Sequence, residues 1–225
     1  MMKPEPSHPT VSAASLLFRV PATLTLTALL IAVGVWYGSW AQRIAPEVHH
    51  DFSHAPAHFL QGAWHRILLS LPITADPQHL FASGVMLLLC VGWLELQRGS
   101  WFATLFFFAA HVVTTITESL IIRVMTAVFD LEMMKRLEIT GDVGPSAGYY
   151  ACLTAAIAGS RFRFRTLGLG LLILWLAARL CFNFVVGSSL AAVHHADAAH
   201  LLSALLGWLG SRWFTMNDRG CDPVA

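Results

Sequence analysis

Gly144-Pro145-Ser146-Ala147-Gly148-Tyr149-Tyr150-Ala151-Cys152-Leu153-Thr154-Ala155-Ala156-Ile157-Ala158-Gly159-Ser160 is an uncharged run that stops at Arg161-Phe162-Arg163-Phe164-Arg165. An apolar run closed by an arginine-rich turn reads as a membrane-spanning helix ending on the positively charged side. Its Gly, Ala and Ser residues allow neighbouring helices to approach closely. Pro145 suits the first turn of such a helix, where its missing N–H costs nothing. Ser146 therefore stands at the start of a membrane-spanning helix. His200 starts another, beyond one intervening apolar run. Two crossings return a chain to the side it left. The serine and the histidine are thus expected at similar depth on one side of a bilayer.

The rest of the chain repeats the pattern. Apolar runs occupy Ala22–Ala41, His79–Leu96, Trp101–Ile122, Thr166–Val186 and Asp197–Phe214, which with Gly144–Ser160 make six expected helices. Of 225 residues, 56% are hydrophobic and 12% charged, with a mean hydropathy of +0.62. Soluble domains carry about 25% charged residues. The runs lack the period-2 alternation of an outer-membrane barrel. The expectation is an all-α integral membrane protein: a tail over 1–21, one six-span domain over 22–214, and a tail over 215–225. The net charge of +1 gives no reason to expect nucleic acid. The first apolar run is long enough to span and has no evident signal-peptide cleavage site. Cys90, Cys152, Cys181 and Cys221 lack metal-binding spacing, and the first three fall in apolar runs as small hydrophobes.

Positive charge sets the orientation. With six spans, Lys3, Arg19, Arg98, Arg161, Arg163, Arg165, Arg212 and Arg219 fall on one side, eight of the fourteen Lys and Arg. Both termini are then cytoplasmic. The polar segments Gln42–Gln78 and Arg123–Val143 face outward, and His79, Ser146 and His200 converge near the outer face. Ser146 needs a base to become a nucleophile, and a neutral imidazole is the usual one. The free N–H groups of a helix start can hold an oxyanion. His79 can add a donor, and Tyr150, one turn after Ser146, can pack against His200.

These residues resemble the rhomboid family of intramembrane serine proteases over roughly Trp64 to Gly207. Gly144-Pro145-Ser146-Ala147 is similar to that family's Gly-x-Ser-x nucleophile motif, with Gly148 following. Tyr150 falls where members carry a tyrosine stacked on the catalytic histidine. Ala199-His200 with Ser203 and Gly207 resembles the Ala-His-x-x-Gly-x-x-x-Gly stripe, Ser203 replacing the first glycine. His79 with Ser83 resembles His-x-x-x-Asn, serine replacing asparagine. Thr74 stands where many members have a histidine. Glu95 and Gly99 match the glutamate–glycine closure of the second helix, and Trp64-His65-Arg66 resembles the Trp-Arg motif of the first outer loop.

The resemblance implies a six-transmembrane-helix bundle with a Ser146–His200 dyad. Ser146, His79 and Ser83 would form the oxyanion hole, and Tyr150, Gly144 and Gly148 would support the dyad. It implies no cofactor and no metal. The substrates would be single-span membrane proteins, cut in or beside the bilayer. A compact six-span chain suggests a bacterial inner (plasma) membrane. The alternative within the same fold is an inactive member that binds transmembrane segments and controls their trafficking or turnover, a reading favoured by Ser83 and Ser203.

Other groups admit weaker readings. His49, His50, Asp51, His54, His58 and His65 form either an ordinary polar loop or a metal cluster, and Pro56 argues against a regular helix through them. Trp64 and Phe59 can anchor that loop in the membrane interface. His194 and His195 are expected in the outer loop before the last helix, either simply solvated or with a role in substrate recognition or pH sensing. Asp197 is expected to cap the last helix. Arg179, alone in its span, either pairs with Glu118 or snorkels to the interface, and has no catalytic role. Trp175, Phe182 and Phe184 either face lipid or gate lateral entry.

Overall fold

The computed structural model describes residues 18–186 and 191–218. Lys3, Arg219 and Cys221, with most of both expected tails, lie outside the described residues. Among those described, the chain is helical apart from turns, connecting loops and one isolated antiparallel bridge between His54 and Asp142. The long helices are α1 (Pro21–Trp36), α5 (Pro77–Arg98), α6 (Ser100–Phe129), α8 (Ser146–Gly159), α9 (Arg165–Val186) and α10 (Ala191–Asp218). Short helices α2 (Pro46–Phe52), α3 (Pro56–Leu60) and α4 (His65–Leu69) fold the first polar segment, and α7 (Glu132–Ile139) folds the second.

Among the described residues, three helices are long and apolar enough to cross a membrane: Pro77–Arg98, Ser100–Phe129 and Arg165–Val185. α1 is apolar but shorter. α8 has 14 residues, about 21 Å of rise, less than a hydrocarbon core of about 30 Å. α10 is long but carries His194, His195, Asp197 and His200 near its start.

Local chemistry explains the joints. Proline opens α1, α2, α3 and α5, where no backbone donor is needed. Pro56 thus starts α3 rather than lying within a helix, and it separates His50 from His58. Asp76 caps α5 by accepting from the His79 N–H at 2.8 Å. Glu95 reaches from the end of α5 to the start of α1. It accepts from the Ala22 N–H at 2.9 Å, the Thr23 N–H at 2.8 Å and the Thr23 hydroxyl at 2.6 Å. A carboxylate is well placed at the positive end of a helix. Gly99, at φ +85°, lets α6 begin almost where α5 ends. A single π-helical turn, Leu87–Val91, interrupts α5.

The core lies where α8 is enclosed by its neighbours. Leu30, Val91, Leu94, Phe107, Cys152, Ala156, Leu176 and Ala204 are buried there. α8 and α10 make the broadest helix pair. Gly207 is the reason: a Cβ there would collide with the Ala151 backbone and the Thr154 hydroxyl. α9 packs differently. Only 11% of its apolar window is buried, against 44% for α5 and α6. Leu171, Leu174, Trp175, Phe182 and Phe184 are exposed on it. Cys90 and Cys152 are buried as expected, but Cys181 is exposed because it faces out from α9.

Candidate active site

Ser146 and His200 line one cavity of about 550 Å³, together with His79, Tyr149, Arg179 and Asp142. Both dyad candidates are buried in its wall. Ser146 is the first residue of α8, with Pro145 as its N-cap. His200 sits on α10, the helix that packs most closely on α8. The Tyr150 ring lies 4.5 Å from the His200 ring, centroid to centroid, at an interplanar angle of 40°. That contact fixes one face of the imidazole. Ser203, one turn on, donates its hydroxyl to the His200 carbonyl at 2.9 Å. Among the described residues, the Nδ1 of His200 has no hydrogen-bond partner.

Gly144 prepares the serine's approach. Its N–H donates to the Ser70 carbonyl at 2.9 Å, which ties the loop to the end of α4. Its φ of +117° lies where L side chains are strained. A Cβ there would stand 2.7 Å from the His79 Nε2. Glycine is thus required twice, for the backbone and for the imidazole beside it. His79 is held from its other side, since its Nδ1 accepts from the Ala75 N–H at 3.2 Å. Gly148 has a comparable role toward Phe107, whose ring occupies the space of a Cβ.

Ser83 does not join this group. It is fully buried, faces the Tyr149 hydroxyl and is absent from the cavity wall. It lies one turn along α5 from His79, on the same face, and is covered by its neighbours instead of opening on the cavity. Of the two expected oxyanion side chains, His79 lines the cavity and Ser83 does not. Thr74 is also buried, hydrogen-bonded with Ser39 at 2.8 Å between hydroxyls.

Behind Ser146 lies a second, enclosed pocket of about 20 Å³, enough for one water molecule. His54, His111, Glu118, Asp142 and His195 line it. His195 Nδ1 is 3.3 Å from Glu118 Oε1 and 3.9 Å from Asp142 Oδ2. His54 Nε2 and the Ser119 hydroxyl are 3.0 Å apart. The backbones of His54 and Asp142 exchange hydrogen bonds of 3.0 and 2.8 Å. Burial, with His195, His58, His111 and Arg66 nearby, lowers the His54 pKa to about 3. This knot joins the first polar segment, α6, the loop before Ser146 and α10.

Several expected pairings change. His194 and His195 are buried within α10, not in a solvated loop, because the helix starts at Ala191. Asp197 lies in the second turn of that helix, so it is not a cap. Its carboxylate pairs with Arg179 Nε at 2.7 Å and accepts from Asn183 at 2.5 Å. Glu118 therefore belongs to His195, and Arg179 to Asp197. Arg66 donates to the carbonyls of His50 at 2.6 Å and Ser53 at 3.2 Å, which pins the histidine-rich loop. Within that loop His54 is buried while His50 is exposed. Trp64 stacks on Phe59 with centroids 5.5 Å apart.

The polar knot leaves no signature in the sequence. Its members are scattered along the chain, and no spacing links them. The cavity also includes Arg179, Tyr149 and Arg43, none of which belongs to a motif. Chemically, the site offers an alcohol at a helix start, a buried imidazole oriented by a tyrosine, and a second imidazole beside the serine's loop. Comparison with protein-family models, characterised proteins and solved structures gives no match.

Proposed function

We propose that the chain is an intramembrane serine protease of the rhomboid type, cleaving single-span membrane proteins in or beside the bilayer. The observation that carries this reading is that Ser146 and His200 open on one cavity while Tyr150 packs on the His200 ring. In this reading all six long helices cross the membrane. The short α8 then starts below the outer surface, and its serine reacts at depth. Both termini are cytoplasmic, in a bacterial inner membrane.

The chemistry is acyl transfer. The Ser146 oxygen attacks a substrate carbonyl carbon as His200 takes the hydroxyl proton. The carbonyl oxygen becomes an oxyanion, met by the Ser146 N–H and by His79. Collapse of the intermediate breaks the C–N bond, and His200 returns the proton to the departing amine. Water then attacks the acyl ester with His200 again as base, and Ser146 is regenerated. Arg43, Asp76 and the other polar groups of the cavity wall keep it wet enough to admit that water.

A second reading is an inactive member of the same fold that holds transmembrane segments. The burial of Ser83 away from the cavity favours it, because the oxyanion would have fewer side-chain donors. Reconstitution separates the two. In liposomes with a single-span reporter carrying small residues and a helix-breaking segment, the protease reading expects cleavage by wild type and none by Ser146→Ala or His200→Ala. Co-purification of intact reporter with all three, without cleavage, would establish the binding reading instead.

A further inference from the structure

A second cavity, of about 380 Å³, lies at the end of the bundle opposite Ser146, between the end of α8, the start of α9 and the last turns of α10. Arg165, Thr166, Ser211 and Arg212 supply its polar wall, while Leu169, Ile173 and Trp208 supply an apolar one. Two arginines on different helices face one space. The Arg212 guanidinium lies 4.2 Å from the Trp208 ring centroid, which fixes its plane. Gly170 also borders the cavity, and a Cβ there would meet nothing, so the groove between α9 and α10 stays open along its apolar side.

The surroundings are basic and aromatic. Arg161 and Arg163 sit on the turn that leads into α9, interleaved with Phe162 and Phe164, both exposed. Among the described residues no carboxylate pairs with Arg161, Arg163 or Arg165. Glu95, at the same end, is occupied by the start of α1. Guanidinium groups match phosphate oxygens in pairs. Exposed phenylalanines next to them suit the boundary between headgroups and acyl chains.

We infer that this cavity binds an anionic phospholipid, with its phosphate between Arg165 and Arg212 and an acyl chain in the groove past Gly170. The inference is independent of the proteolytic reading, since it uses neither Ser146 nor His200. Basic pockets between membrane helices are suited to such headgroups, and each arginine contributes about five-fold in affinity.

Trp208 makes the test direct. Its emission is isolated as the difference between wild type and Trp208→Phe. In bilayers, brominated phosphatidylglycerol should quench it at a mole fraction where brominated phosphatidylcholine does not. Arg165→Gln/Arg212→Gln should weaken that selective quenching by about 25-fold, while Arg161→Gln/Arg163→Gln should preserve most of it. Gly170→Leu fills the groove without changing charge and should also abolish it. Equal quenching by the two lipids, or selectivity that survives both Arg165→Gln/Arg212→Gln and Gly170→Leu, would overturn the inference. Loss of selectivity on adding inorganic phosphate would show a site for free phosphate and would overturn the lipid assignment.

Discussion

Gly144 is the residue whose chemistry is most narrowly set. Its positive φ and its contact with His79 both exclude a side chain. Gly144→Ala should strain the loop by about 1–3 kcal/mol and push His79 out of the cavity. A fall in cleavage of ten-fold or more, with a smaller drop in thermal midpoint, is the expected outcome. Unchanged cleavage would mean that His79 has no part in the reaction. His54 makes a second prediction at this scale. In the unfolded chain it titrates at about 6.5, but in the folded protein only near 3. Between those values the unfolded state binds more protons, so stability is full above pH 6.5 and falls as pH drops through that window. The contribution lost by pH 4 is on the order of 3 kcal/mol. His54→Asn should flatten the dependence of the thermal midpoint on pH between 6.5 and 4. An equally steep curve would assign the effect to other groups.

Among the elements, α9 and α10 present the clearest contrast. α9 buries little of itself, yet it carries Arg179, paired with Asp197 on α10. Asp197 is 1% exposed and Arg179 39%. Removing the cation leaves a buried carboxylate with only its Asn183 hydrogen bond, which costs about 1–3 kcal/mol for a cation that is itself partly exposed. Arg179→Gln should therefore destabilise the protein, while Arg179→Gln/Asp197→Asn should regain most of the loss. Thermal unfolding of the two single variants and the double variant measures this coupling, and additive losses would deny it. The Arg179–Asp197 pair shows where sequence reading stops. Position within apolar runs located both helices, but a single chain does not reveal which charge faces which. By sequence, Glu118 is the expected partner of Arg179 because both fall at the same end of their runs, and Asp197 reads as a helix cap. The start of α10 at Ala191 decides the matter by carrying His195 to Glu118 and Asp197 to Arg179.

At the scale of the molecule, the long apolar runs and the Ser146–His200–Tyr150 grouping were legible from composition and order. Turn chemistry acts locally, so the break at Gly99 could be read directly, whereas the helix starts at Pro21, Pro46, Pro56 and Pro77 were not read from it. The enclosed knot of His54, Glu118, Asp142 and His195 was not legible, because four separate segments build it. The burial of Ser83 was hidden for another reason: its motif position says nothing of how far along α5 the cavity reaches. Six crossings with cytoplasmic termini would place residues 57 and 163 on opposite sides. Single cysteines at those positions, in a chain whose own cysteines are replaced by alanine, should react with an impermeant maleimide from the outer and the cytoplasmic side respectively. Reaction of both from one side would contradict the six-span arrangement.

The central claim is that Ser146 is a nucleophile activated by His200. It is tested most directly by treating the detergent-solubilised full chain with a fluorophosphonate and mapping the adduct by mass spectrometry. The account predicts one phosphonylated residue, Ser146, in wild type, and no adduct in Ser146→Ala or His200→Ala. A folded wild type that takes up no label, or a label that persists in both variants, would contradict it.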